Sequence, residues 1–220
     1  MNNYFRKNLK AGIKKLSLPD EYLLSEDKID ALLAYHQLLI KWNKAYNLTA
    51  VRDPQQMISR HLLDSLAIAP YLKGQRFIDI GTGAGLPGIV LSILFADRQF
   101  DLLDSNGKKT RFLFQVKTEL CLSNITIHNC RVEQHKPELA YDGVISRALA
   151  TLANMVSASW YLLSNQGSFY AMKGVYPEDE IKQLKKLSVL GKNYKVEVCH
   201  SLQVPDQEGQ RHLVVIGPYN

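Results

Sequence analysis

From residue 76 to the C-terminus, short apolar runs alternate with segments of helical periodicity, and this alternation constrains the fold most. Strand-like runs fall at 76–80, 99–103, 125–128, 143–146, 168–172, 196–204 and 212–216. Helix-like segments separate the first six, at 86–95, 108–122, 132–139 (poorly defined), 151–163 and 178–187. Strands joined by helical crossovers pair in parallel, so the pattern predicts an α/β, doubly wound sheet. The last two runs have no helix between them. Their link, Pro205-Asp206-Gln207-Glu208-Gly209, is short and turn-like, which predicts an antiparallel return.

Before residue 73 the pattern is helical. Ser25 reads as an N-cap, followed by Ile29, Leu32, Leu33, His36, Leu39 and Ile40 on one face. Asp53 reads as a second cap, with Pro54 at the first helical position and Gln56 three after the cap. Met57, Ile58, His61, Leu62, Ser65 and Leu66 follow on one face, and Pro70 ends the helix. Residues 1–72 are therefore expected to form a helical extension and 73–220 the α/β domain. Within the extension, Arg6, Lys7, Lys10, Lys14 and Lys15 form a basic arm without an acid. That arm and the net charge of +6 favour a polyanionic partner. No apolar run of membrane-spanning length and no signal-peptide pattern is present, so a cytoplasmic location is expected. Cys121, Cys130 and Cys199 show no CxxC spacing. They are read as buried apolar residues rather than disulfide or zinc ligands, and no metal is expected.

The sharpest local motif is Asp79-Ile80-Gly81-Thr82-Gly83-Ala84-Gly85-Leu86-Pro87-Gly88, between the first strand and its helix. Glycines at such a turn permit tight backbone geometry and let a ligand approach main chain. Asp104, at the end of the second strand, stands where an acidic residue meets the hydroxyls of a ribose; the alternative is a cap on the helix that follows. Read from Gly81, the dinucleotide fingerprint G-x-G-x-x-G fails at Leu86; read from Gly83 it fits, so the motif alone leaves NAD open. Pro87 beside the last glycine, Asp79 ahead of the first, and the terminal hairpin favour S-adenosylmethionine, a cation suited to acidic company.

With these blocks in place, the chain resembles the bacterial 16S rRNA (guanine-N7)-methyltransferases, the family once called glucose-inhibited division protein B. The resemblance runs from about Ile29 to Ile216. It rests on the loop above and on Lys41-Trp42-Asn43-Lys44-Ala45-Tyr46-Asn47-Leu48-Thr49 and Arg60-His61-Leu62-Leu63-Asp64-Ser65. It continues in Leu103-Asp104-Ser105, Arg131-Val132-Glu133, Asp142-Gly143-Val144-Ile145-Ser146-Arg147-Ala148, Met172-Lys173-Gly174 and Arg211-His212-Leu213-Val214-Val215-Ile216. It implies a seven-stranded Rossmann-like S-adenosylmethionine-dependent methyltransferase fold with one antiparallel strand. It also implies that Gly81 and Leu86 line the cofactor loop with Asp79, Thr82 and Gly83. Val132 and Glu133 would flank the adenine, and Arg147 would reach the cofactor or the target base. The implied substrate is guanosine 527 in the decoding-region loop of 16S rRNA, met as free rRNA, an assembly intermediate or the small ribosomal subunit. Ala84 departs from the proline that relatives often carry, and this removes no contact group.

The chemistry agrees with that resemblance. Methylation of exocyclic amines usually uses an [Asn/Asp]-Pro-Pro-aromatic motif after the fourth strand, and pyrimidine C5 requires a cysteine nucleophile. Here Ser146-Arg147-Ala148 stands at that position. Guanine N7 has a free lone pair and needs neither. Arg147 is the candidate catalytic residue, against an alternative as a purely structural partner of an acid. Arg60, His61, Arg131, Lys173 and Arg211 are the candidate RNA contacts. His61, three residues from Asp64 on one helix face, reads equally as a structural histidine. Trp42 and Tyr46 suit base stacking but at helical spacing read first as core. A small-molecule methyltransferase, a non-catalytic RNA-binding module and a NAD-dependent oxidoreductase remain as alternatives. No unexplained apolar stretch is left over, so a monomer is expected.

Overall fold

The computed structural model describes residues 2–16, 18–22, 24–147 and 151–219. One sheet organises them, in the order β3-β2-β1-β4-β5-β8-β7-β6. Its strands are β1 (Arg76–Ile80), β2 (Gln99–Leu103), β3 (Ile125–His128), β4 (Tyr141–Arg147), β5 (Leu163–Lys173), β6 (Ser188–Val189), β7 (Lys192–Ser201) and β8 (His212–Tyr219). The first five pair in parallel, and β8 inserts antiparallel between β5 and β7. The terminal hairpin is thus as expected, and the sheet has the methyltransferase arrangement. It has eight strands where seven were expected. The eighth is β6, a two-residue strand that the helical pattern of 178–187 runs up against. Leu190 and Gly191 both have positive φ (49° and 78°), as in a type I′ turn, and fold β6 back on β7.

Each face of the sheet takes alternate residues of the strands. Phe77, Phe100, Leu102, Ile145, Tyr170 and Leu213 point to one face and share a core with α2 (Glu26–Tyr46), α5 (Gly88–Leu94) and α6 (Gly107–Glu119). Ile78, Ile80, Leu103, Val144, Phe169 and Val214 point to the other, under α7 (Leu152–Ser159) and α8 (Glu178–Leu184). The N-terminal helices belong to the first core, because Leu9 of α1 (Asn2–Leu16) and Leu32 and Leu39 of α2 are buried in it. Ser25 caps α2 as expected, accepting from the Lys28 amide. Asp53 caps the next helix, which runs as α3 (Pro54–Met57), a π-helical stretch (Ile58–Leu63) and α4 (Asp64–Leu66).

Two local expectations need correction. The segment read as a poorly defined helix at 132–139 holds a single 3₁₀ turn, Val132–Gln134. The basic arm is a helix, with Lys7, Lys10, Lys14 and Lys15 on its exposed face. α1 packs so closely that a Cβ on Gly12 would stand 2.3 Å from Leu63. Arg6 pairs with Glu26 and Asp30, Lys10 with Glu26 and Lys15 with Asp206, so three of its five cations face acids. The cysteines are not fully buried: Cys121 is exposed at the end of α6, and Cys130 and Cys199 are partly so.

Candidate active site

The parallel strands all end at one edge, and the strand order reverses between β1 and β4. A crevice at that switch point is the expected ligand site of an open α/β sheet. A cavity of about 1060 Å³ lies there, lined by the ends of β1, β2, β4 and β5. Because β8 runs antiparallel, its first residue, His212, reaches the same edge opposite Lys173.

The glycine loop forms one wall. Gly81, Gly83 and Gly85 have φ of 66°, 63° and 91°, conformations that side chains with a Cβ rarely adopt. The glycines divide the work. A Cβ on Gly83 would meet only the Gly81 carbonyl oxygen at 3.9 Å and Lys109 Nζ at 4.0 Å, so its backbone is open to a ligand. A Cβ on Gly88 would stand 2.2 Å from Leu102 and 2.9 Å from Asp79, so Gly88 is required for packing. Asp79 lies behind this loop rather than on the cavity surface. Its Oδ2 accepts from Thr82 Oγ (2.7 Å) and from the Gly88 amide (2.9 Å) at the start of α5. That helix terminus is therefore already occupied by a carboxylate, which leaves no phosphate seat there. Oδ1 of Asp79 is buried without a partner, and burial raises its pKa to about 6.

Asp104 stands beside the loop. Its Oδ2 accepts from the Gly83 amide (2.9 Å) and lies 3.5 Å from Lys109 Nζ, while Oδ1 accepts from the Asn106 amide (2.8 Å). Tyr35 of α2 reaches in from the extension, its hydroxyl donating to the Ala84 carbonyl (2.8 Å). The bond is to main chain, so alanine or proline at 84 serves it equally. Farther along the edge, Arg131, Val132 and Glu133 line the cavity, and Tyr161 donates to the Val132 carbonyl.

The opposite wall carries positive charge. The π-helical stretch presents Arg60 and His61, with Asp64 one residue beyond its end. Arg147 Nη1 donates to the Arg60 carbonyl (3.1 Å) and stands 3.4 Å from Asp64 Oδ2. Arg211 Nε stands 3.3 Å from Asp64 Oδ1, within ion-pair range but outside hydrogen-bond alignment. Burial nevertheless raises the pKa of Asp64 against the pull of both guanidinium groups. His61 is 4% exposed, between Thr49 Oγ (2.9 Å) and its neighbour's carbonyl. Burial, then the Arg147 charge, lowers its pKa to about 4, so it is a neutral imidazole near pH 7. Lys173 also lines the cavity, bonded to Glu180 at 2.8 Å.

Residues 28–214 match the family described as GidB, rRNA small subunit methyltransferase G. The chain belongs to this family. It is 55% identical over 193 residues to the ribosomal RNA small subunit methyltransferase G of Salmonella arizonae, covering 88% of this chain and 90% of that one. It is 47% identical over 212 residues to the same-named protein of Stutzerimonas stutzeri, covering 96% and 94%. Among solved structures it is similar in fold to the ribosomal protein L11 methylase of Lactobacillus delbrueckii subsp. bulgaricus (TM-score 0.56, 14% identity, 76% and 80% covered). TYW2 of M. jannaschii in complex with AdoMet is similar as well (TM-score 0.53, 16% identity, 66% and 68% covered).

The cavity brings together every residue singled out from the GidB motifs as a site candidate except Asp79, which acts from behind the loop. Ala148 lies outside the described residues. Trp42 packs on Phe112, 5.6 Å between ring centroids, while Tyr46 is exposed. Thr49, Lys109, Gln207 and His212 also line the cavity, and Tyr35 supports its loop. Position in sequence gives no sign of Tyr35, which sits in the apolar stripe of α2. Lys109 was open to discovery, as a cation in the first turn of the helix that follows Asp104, an electrostatically unfavourable place for one.

Proposed function

We propose that this protein transfers a methyl group from S-adenosylmethionine to N7 of a guanosine in 16S rRNA, guanosine 527 of the decoding-region loop, leaving S-adenosylhomocysteine. The observation that carries this reading is the single cavity joining the glycine loop and Asp104 to a wall bearing Arg60, Arg147 and Arg211. Its volume, about 1060 Å³, stands at the top of the roughly 300–1,000 Å³ usual for small-molecule pockets, which favours an occupant larger than the cofactor alone.

The open backbone at Gly83 is a cradle that any Cβ would begin to fill, and Asp104 turns its carboxylate to the same cavity; both suit an adenosyl group. Gly81, Thr82, Gly83 and Leu86 would hold the cofactor through the loop. Asp104 would take the ribose, Val132 and Glu133 the adenine, and Asp79 would keep the loop in shape. When bound, the cofactor supplies an electrophilic sulfonium methyl group. What remains for the protein is to align a lone pair with that group and to exclude water. N7 carries no proton, so no general base is required. The neutral His61 and the Asp64 carboxylate, faced by two arginines, fit that absence. Arg147 is assigned to guanine O6, beside N7, or to a phosphate, and so orients the base without covering the nucleophile. Arg60, Arg131, Lys173 and Arg211 are assigned to the surrounding RNA, and His61, with both ring nitrogens engaged, to the structure of that wall. The protein is read as a cytoplasmic monomer acting on 16S rRNA or the small subunit.

The test is to map N7-methylguanosine in 16S rRNA from cells with and without the gene, by nuclease digestion and mass spectrometry. Loss of one methylated guanosine in the decoding-region loop, restored by the wild type and not by Gly81→Arg, is expected. An unchanged pattern would reject this substrate and return the choice to another RNA or a small molecule.

A further inference from the structure

The crossover between β3 and β4 lacks the helix that would cover this part of the sheet, and a polar network stands in its place. Asp101 of β2 is 7% exposed, in the interior of the sheet. Tyr141 donates to its Oδ2 at 2.5 Å, His128 Nε2 lies 3.0 Å from the same oxygen and Arg76 Nη2 3.6 Å from it. The Arg76 guanidinium also lies over the Tyr141 ring, 4.8 Å from its centroid. His135 Nε2 is 2.9 Å from the Tyr141 hydroxyl. With the Tyr141 proton directed at Asp101, that contact requires Nε2–H of His135 to donate. Burial opposes the Asp101 charge, but the bonds from His128 and Tyr141 together with Arg76 hold its carboxyl below the usual range. Burial, then the neighbouring His128, lowers the pKa of His135 and keeps it neutral.

Asp101, His128 and His135 also have the composition of a metal site, with donor atoms within 4.8 Å of one another. Arg76 already supplies a cation to that carboxylate, and Tyr141 and His128 both bond the same oxygen. The cluster is therefore satisfied by protons. Its position gives it a different use. His135 directly follows the 3₁₀ turn Val132–Gln134, and its amide donates to the Val132 carbonyl at 3.0 Å.

We propose that His135, acting through Tyr141 and Asp101, is a positioning residue that clips the Val132–Gln134 turn to the sheet and thereby sets affinity for the adenosine half of the cofactor. This rests on the assignment of Val132 and Glu133 to the adenine. The turn's own bonds, from the Gln134 amide to the Arg131 carbonyl and from the His135 amide to the Val132 carbonyl, fix its shape but not its place on the sheet. Its place is set by the His135 side chain just past one end and by Tyr161 on the carbonyl of Val132 at the other.

The test is isothermal titration of S-adenosylmethionine and of adenosine into wild type, His135→Ala, Tyr141→Phe and His135→Gln, whose amide nitrogen replaces Nε2–H. Hydrogen exchange of the 131–135 amides and methylation of small subunits are measured alongside. Loss of the His135–Tyr141 hydrogen bond, common to His135→Ala and Tyr141→Phe, should raise both dissociation constants about three- to tenfold. His135→Gln should restore affinity, and kcat at saturating cofactor should stay within about twofold of wild type, whereas a general loss of structure would lower kcat as well. Unchanged exchange at 131–135 in a folded His135→Ala protein would overturn the clip itself. Faster exchange with unchanged affinity would overturn the proposal through the adenine assignment, since the turn would then be clipped but not in contact with the cofactor.

Discussion

On one side of the cleft, Gly81, Thr82, Gly83 and Asp104 come from a strand–turn–helix and the strand paired beside it. On the other, Arg60, His61, Asp64, Arg147 and Arg211 come from three segments far apart in the chain. The first wall is made mostly of backbone: three glycines at positive φ and amide bonds to two carboxylates. The second is made of side-chain charges around a buried acid. A wall of backbone has geometry as its weak point, and a wall of charges has its balance. Substitutions should separate the two.

The largest effect is expected at the backbone wall. Gly81→Arg puts a long side chain at φ 66°, at the mouth of the loop. Cofactor affinity measured by calorimetry should fall by more than about a hundredfold, from strain together with filling of the cavity. Near-normal binding would show that the loop is not the cofactor seat. At the charged wall, Arg147→Ala leaves Asp64 facing one guanidinium instead of two and frees the Arg60 carbonyl. Removing one partner of a buried charge typically costs about 2–5 kcal/mol, so kcat/KM should fall about 30- to 5,000-fold. Cofactor affinity should change far less. An equal loss in both would place Arg147 at the cofactor alone.

The difference between the walls also explains what the sequence made legible. A strand, a glycine turn and an acid at the next strand end are local, so Gly81, Gly83 and Asp104 could be placed by spacing. The terminal hairpin was equally local, because a five-residue link leaves no room for a crossover. The charged wall is non-local. Arg60 and Arg147 meet only because the N-terminal helices pack across the strand ends, and it was family motifs, not spacing, that picked them out. Asp79 was expected at the cofactor and instead holds the loop, since an acid at a strand end supports an adjacent turn as readily as a ligand. The helix expected at 132–139 failed for a related reason. His128 and Tyr141 bond to Asp101 and His135 bonds to Tyr141, and no local pattern reports such bonds.

The two walls should also respond oppositely to pH. Asp79 has a folded pKa of about 6 against 3.8 for the free group, so the folded state holds its proton more tightly. Its contribution is most favourable at low pH and falls as pH rises from about 4 to 6. His61 has a folded pKa of about 4 against 6.5, so the unfolded state binds the proton first. Its contribution is full above about 6.5 and is lost as pH falls toward 4. Each spans roughly two units, or about 3 kcal/mol. Denaturant unfolding at pH 4, 5.5 and 7 should show wild type losing stability relative to Asp79→Asn as pH rises, and relative to His61→Gln as pH falls. Parallel curves for either variant would mean that its group is more solvated than the fold implies.

The smallest expected effect concerns what joins the extension to the backbone wall. The Tyr35 ring is fully buried, and its hydroxyl reaches the Ala84 carbonyl at 2.8 Å. The amide that would ordinarily satisfy that carbonyl in a continuing helix belongs to Gly88, and it bonds to Asp79 instead. Tyr35→Phe keeps the packing and removes only the donor, leaving a buried acceptor unpaired at about 1–2 kcal/mol. For a chain of this size that is a fall of several degrees in melting temperature. If α2 only covers the sheet, the fall in stability should be the whole effect. If α2 also holds the loop in its binding geometry, cofactor affinity should weaken by about two- to threefold as well, while the Arg147 wall keeps its dependence on RNA concentration. A loss of RNA affinity with cofactor binding intact would reverse that division and tie the extension to the charged wall.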